Sequence, residues 1–320
     1  MTHRAEIGMC FDRSYPADAM ADYARSVESA GIEQLWVIED CFFTAGISLA
    51  ATALAVTDSL TVGLGVLPAV ARNPAITAME VATLATMAPG RLVAGIGHGV
   101  QEWMAQIGAL TPSPLTTLDE TITVVKRLLR GDEVTFSGRQ VVLDRVRLDQ
   151  PPSVVPPVVA GVQQQRSMAL AGRVADGVIL VEGAGPVYVR WALDHAAPVA
   201  AEPFRVTTFT LLAVEADRRA AYRTVAPFVA GLVAQRRPAL TVLPFFDEMA
   251  ARVAERGAAA LVDMPGDFWA EIGAVGTLDD ALDHVAALEA AGVHSVNIFP
   301  GPQLADARAL LPVVAELAAR

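Results

Sequence analysis

The 320-residue chain contains only two cysteines, Cys10 and Cys41, too few for a disulfide framework. No Cys/His spacing has the form of a metal-ligand set, so no metal is expected. Lysine occurs once, at Lys126, and 35 acidic residues against 24 basic ones leave a net charge of −11. A surface of that sign does not neutralise a run of phosphates, which argues against a nucleic-acid partner. No apolar run reaches the roughly 20 residues of a membrane span, and the first ten residues lack the apolar core of a secretion signal. A cytoplasmic protein with no membrane partner is expected. No linker rich in Pro, Gly or Ser divides the chain, so one domain over residues 1–320 is expected.

What the chain has in quantity is apolar surface, 53% of its residues, arranged as short apolar runs alternating with longer amphipathic stretches. Strands are predicted at Ile7–Phe11, Leu35–Ile38, Thr61–Leu67, Leu92–Ile96, Pro157–Gly161, Gly177–Val181, Val206–Val214 and Val293–Phe299. Helices fall between them: Pro16 to Gly31, Gly46–Thr57, Pro74–Met87, Leu115–Leu129, Gln164–Ala175, Arg218–Ala234, a second run after Pro244, and Leu304–Ala319. Strands that are apolar without alternation suit a parallel sheet covered by helices. Eight such units predict an α/β fold closed as a (β/α)8 TIM barrel. The stretch around 131–150 reads as an insertion, with Ser137-Gly138 turning between two short strands. An open doubly wound sheet would want a glycine-rich turn after the first strand, and Cys10-Phe11-Asp12-Arg13 is not one.

In a barrel, polar residues just beyond each strand converge on one mouth, where catalysis is built. That rule selects Asp12 and Arg13, Glu39 and Asp40, Arg72, His98 and Gln101, Gln163 to Arg166, and Glu182. Glu39 and Asp40 are adjacent, so one is expected to face the cavity and the other to cap the following helix. Glu182 ends an apolar strand and is a better candidate than most for a cavity-facing carboxylate, with an ion pair to Arg166 as the alternative. His98 lies between Gly97 and Gly99, where the backbone can approach a ligand closely. Gly161-Val162-Gln163-Gln164-Gln165-Arg166 ends a strand and opens a helix, whose free N–H groups suit a phosphate with Arg166 as a fixed cation. An ordinary turn with an exposed arginine is the alternative.

With these residues goes a resemblance. Leu35-Trp36-Val37-Ile38-Glu39-Asp40, Gly63-Leu64-Gly65-Val66-Leu67-Pro68 with Arg72-Asn73-Pro74, Ala88-Pro89-Gly90-Arg91-Leu92, Arg173-Val174-Ala175-Asp176-Gly177 and Ala290-Ala291-Gly292-Val293 occur in the order seen in luciferase-like flavin and deazaflavin oxidoreductases. Glu39-Asp40, Pro114-Leu115 and Tyr188-Val189-Arg190-Trp191 resemble the branch that includes methylenetetrahydromethanopterin reductase. The resemblance implies coenzyme F420, a hydride-carrying deazaflavin, with FMN as the alternative cofactor of a luciferase-like monooxygenase. It implies a ring held on a bulge of the third strand with a cis peptide at Gly65-Val66, and a homodimer. A barrel that binds a cofactor without turnover is a further reading. The expected catalytic residues are Glu39, Asp40, Glu182 and His98. The expected cofactor contacts are Gly65, Val66, Arg72, Gly97, His98, Gly99, Gly161, Val162, Gln163 and Arg166. Relatives often carry Gly-Pro-Lys where this chain has Gln164-Gln165-Arg166, so the cation stays but the small rigid turn does not.

Overall fold

The computed structural model describes residues 4–197 and 204–320. Among the described residues eleven strands form: β1 (Glu6–Phe11), β2 (Gln34–Val37), β3 (Thr61–Pro68), β4 (Leu92–Gly97), β5 (Val134–Ser137), β6 (Val142–Val146), β7 (Val158–Gly161), β8 (Gly177–Leu180), β9 (Arg205–Val214), β10 (Gly273–Gly276) and β11 (Ser295–Phe299). Strands β1, β2, β3, β4, β7, β8, β9 and β11 pair in that order, all in parallel, and β11 returns to β1. That is a closed (β/α)8 barrel built from the eight apolar runs of the sequence.

Its interior and exterior are packed separately. Cys10, Trp36, Val93, Val159, Ile179 and Phe209 fill the barrel, while a larger apolar layer lies between the strands and the outer helices. Burial on both faces is why these strands show no alternation. Glycine makes room inside: a Cβ on Gly63 would fall 2.2 Å from the Trp36 indole. The helices begin where local chemistry allows. Asn73 accepts the Ala75 N–H just ahead of Pro74, which opens the helix Pro74–Met87, and Ser113 does the same for Pro114–Leu129.

Three features lie outside the plain barrel. Strands β5 and β6 form an antiparallel hairpin. Glu120 pins its turn by accepting the N–H groups of Arg139, Gln140 and Val141 at 2.7–2.9 Å. A short helix, Gln101–Gln106, follows β4. Strand β10 pairs with the far end of β9, beyond the stretch of β9 that meets β8. The apolar pattern predicts neither this short helix nor the helix Pro186–Ala196, and neither β10 nor the following helix Leu278–Ala290. The long connection after β9 packs on its own satellite core, with Tyr222 stacked on Trp269 at 4.7 Å. Among the described residues, no helix is long and apolar enough to cross a membrane.

Candidate active site

The C-terminal ends of the barrel strands open into a cavity of about 1570 Å³. A pocket of that size exceeds the few hundred to about 1,000 Å³ of ordinary ligand sites, leaving room for two molecules side by side.

One wall is backbone and apolar side chain. Strand β3 bulges between Leu64 and Leu67, and the Gly65–Val66 peptide there is cis, as expected; a second non-prolyl cis peptide, Cys41–Phe42, was not anticipated. Val66 leans across the two next strands. A Cβ on Gly97 would come within 2.6 Å of it, and one on Gly161 within 2.8 Å. Glycine on β4 and β7 therefore seats the bulge. Gly97 itself does not line the cavity, so its expected ligand contact is corrected to this indirect role: it is spent on accommodating Val66. Gly65, Val66, Gly161, Val162 and Ile179 leave a smooth apolar face. Phe209, which stands edge-on to Trp36 at 5.5 Å, forms part of the floor.

The two carboxylates after β2 divide their tasks. Glu39 borders the cavity, but its oxygens take Arg72 Nη2 at 2.7 and 3.0 Å, and Oε2 also accepts the Gly46 N–H at 2.7 Å. Glu39 thus lines the cavity and at the same time anchors the helix Gly46–Val56, its oxygens held by Arg72 and the Gly46 N–H. The expected cofactor contact at Arg72 is corrected. Its other nitrogen binds Glu80 at 2.8 Å, and the side chain does not line the cavity. Both ends of its guanidinium are consumed, so it has no fork to offer a cofactor tail. Asp40 faces inward and pairs with Arg13 at 2.6 Å. The Arg13 guanidinium lies 4.8 Å from the Phe43 ring and 5.8 Å from that of Trp103, so one cation ties together the loops after β1, β2 and β4.

His98, Gly99 and Gln101 line the cavity beyond β4. His98 Nδ1 lies 3.3 Å from the Pro114 carbonyl, which can only accept, so the proton sits on Nδ1 and Nε2 presents a lone pair. Burial lowers its pKa below the usual histidine value, which keeps the ring neutral near pH 7. Glu182, at the end of β8, lies deep in the cavity. Burial raises its pKa above the ordinary carboxylate value; the Arg237 cation works against this, and Asp40 and Asp12 add to it.

Beyond β7, Gln163, Gln164, Arg166 and Ser167 line the same cavity. The Tyr188 hydroxyl donates to the Gln163 carbonyl at 2.8 Å and fixes the turn. The helix Gln165–Val174 carries a capping box between Gln164 and Ser167, so part of its terminus is satisfied internally. Arg166 forms no ion pair among the described residues and does not reach Glu182.

Sequence reasoning missed the far wall, where Phe228, Gln235, Arg236 and Arg237 come from the connection after β9 and Phe299 from β11. The rule of looking just past each strand cannot find side chains returned to the mouth by a long helix. The signal present was Arg236-Arg237-Pro238, two cations just ahead of the proline that opens the short helix Pro238–Thr241.

A family model described as luciferase-like monooxygenase matches residues 5–295. The chain is 32% identical over 174 residues to 5,10-methylenetetrahydromethanopterin reductase of Methanolobus tindarius, covering 54% of this chain and 53% of that one. It is 31% identical over 134 residues to an F420-dependent glucose-6-phosphate dehydrogenase of Nakamurella multipartita, covering 41% and 40%. The chain thus spans about half or less of the length of these relatives. In fold it is similar to the coenzyme F420-dependent tetrahydromethanopterin reductase from Methanopyrus kandleri, with a TM-score of 0.77 over 99% of both chains at 19% identity.

Proposed function

This chain belongs to the luciferase-like monooxygenase family, and we propose that it is a coenzyme F420-dependent oxidoreductase that transfers a hydride between the deazaflavin and a small organic substrate. The observation that carries the reading is the apolar wall of Gly65, Val66, Gly161 and Val162, flat because glycine seats the bulge, with Arg166 at one end. A planar tricyclic ring fits such a face, and an anionic tail fits its cationic end. Relatives named as reductases and F420-dependent dehydrogenases support the same cofactor.

When bound, the deazaflavin supplies the carbon that gives or takes the hydride. The protein's own residues do the rest. Gly65 and Val66 would back the ring, and Arg166 with the turn after β7 would hold the phosphate. Glu182 lines the cavity and keeps its proton to higher pH than an ordinary carboxyl, so it would be the group to give or take a proton there. Asp40, fixed by Arg13, orients the substrate. Neutral His98 offers Nε2 as a hydrogen-bond acceptor rather than a positive charge. The functional unit is a homodimer joined through the early helices.

Cofactor choice is tested directly. The purified protein, titrated with F420 and with FMN, should quench the fluorescence of F420 in a saturable way. It should turn over reduced F420 without oxygen. Saturable FMN binding with oxygen consumption, and none with F420, would replace this reading with a monooxygenase.

A further inference from the structure

The far wall of the cavity carries a cation, Arg237, that no protein group hydrogen-bonds among the described residues, although its charge is felt by Glu182. Arg237 makes no side-chain hydrogen bond or ion pair among the described residues, and its Nε is buried without one. Its neighbour Arg236 lines the same cavity but lies 5.0 Å over the Phe246 ring. A partly buried guanidinium left unsatisfied is costly unless something enters to pair with it. The cavity it borders is open to ligands, and Gln235 stands beside it. Two aromatic side chains line the same wall, Phe228 and Phe299, with ring centroids 6.2 Å apart.

We infer that Arg237 is the substrate-anchoring residue of this cavity and that the substrate is an apolar carboxylic acid, its carboxylate on the Arg237 fork and its body against Phe228 and Phe299. Three considerations select a carboxylate. The Arg237 guanidinium, free where that of Arg236 lies on Phe246, presents a planar, two-toothed donor edge that matches a carboxylate. The cavity already holds Asp12, Asp40 and Glu182, so one negative charge is tolerated there more readily than the near-double charge of a phosphate ester. The flanking rings favour an apolar body over a sugar or other polyhydroxyl. Arg166, at the end of another strand, stays with the cofactor's anionic end.

The inference rests on reading this cavity as the substrate site, and binding without cofactor tests it apart from the choice of F420. Fluorine NMR on the full chain would follow three probes with one aromatic body: 4-fluorobenzoate, 4-fluorophenyl phosphate and the uncharged 4-fluorobenzamide. The parent should bind the benzoate at least tenfold more tightly than the benzamide and more tightly than the phosphate. Arg237→Gln should erase the preference for benzoate over benzamide, and Arg237→Lys should keep part of it. F420 affinity should stay within threefold of the parent in both variants, which also reports that they are folded. A parent that prefers the phosphate, or an Arg237→Gln protein that keeps its preference for benzoate, overturns the inference. So does an Arg237→Gln protein that is folded by circular dichroism but loses F420, since Arg237 would then belong to the cofactor. In all three cases the proposed F420 chemistry stands or falls on its own titration.

Discussion

At the scale of single residues, burial and partners separate side chains that look alike in the sequence. Glu39 and Glu182 are both carboxylates beyond a strand, yet one is held by Arg72 and Gly46 while the other is held by burial. A carboxyl whose pKa is raised in the folded protein keeps its proton between the ordinary value and the raised one, so proton donation falls as pH rises through the raised value. Glu182→Gln should therefore lower turnover by roughly 10²–10⁴, the range for a general acid, and abolish that alkaline limb while F420 binding persists. A pH–rate profile unchanged in the variant would remove Glu182 from the chemistry. Arg72 and Arg166 make a second contrast. Arg72→Met should cost about 1.5–3 kcal/mol of stability, the worth of hydrogen bonds to charged groups, without changing F420 affinity. Arg166→Ala should do the reverse, weakening F420 by a similar amount with its unfolding midpoint unmoved. Urea titration and cofactor fluorescence on both variants check the pair, and an exchange of the two effects would invert the assignment.

At the scale of elements, the eight barrel strands were legible because each is buried on both sides and so reads as an unbroken apolar run. Strand β10 was not: Gly273-Ala274-Val275-Gly276 is four residues long, bounded by glycine, and pairs only with the free end of β9. The candidate site was legible from the barrel alone at His98 and Glu182, and through the family resemblance at Gly65 and Val66. It was illegible where tertiary pairing decides, since nothing in the sequence ties Arg72 to Glu39 across 33 positions. The helix after β10 carries a consequence of the same kind. His284 is buried, its Nδ1 donates to the Ala270 carbonyl at 2.7 Å, and its Nε2 has no partner. Burial lowers its pKa to about 4. The unfolded chain takes up the proton near pH 6.5 and the folded one only near 4, so stability drains away as pH falls through that window, by roughly 3 kcal/mol in all. His284→Gln should flatten the loss of urea midpoint between pH 7 and pH 4. Equal slopes in parent and variant would show that other groups set the acid limit.

At the scale of the whole molecule, the helix Pro74–Met87 bears on the proposed homodimer. Ile76, Met79 and Met87 are 48%, 51% and 53% exposed, and with Thr83 they form one stripe at helical spacing. The only charge on that helix is Glu80, which is already paired with Arg72. The preceding helix, Gly46–Val56, carries no charge at all. Apolar side chains lined up this way are a poor fit to water and a good fit to a second copy of the same stripe. Each copy also brings a net charge of −11, so two copies repel at long range. Salt screens that repulsion within about 10 Å at 0.1 M while leaving apolar contact intact. The dimer should accordingly tighten as salt rises, whereas F420 binding through the proposed pairing of its phosphate with Arg166 should weaken as salt screens that pair. Met79→Glu should place a like pair of charges at the stripe and give a monomer that still binds F420. Light scattering on micromolar protein at 0.05 and 0.5 M salt reads both effects. A parent that is monomeric at both salts would leave the stripe without a partner and the dimer without support.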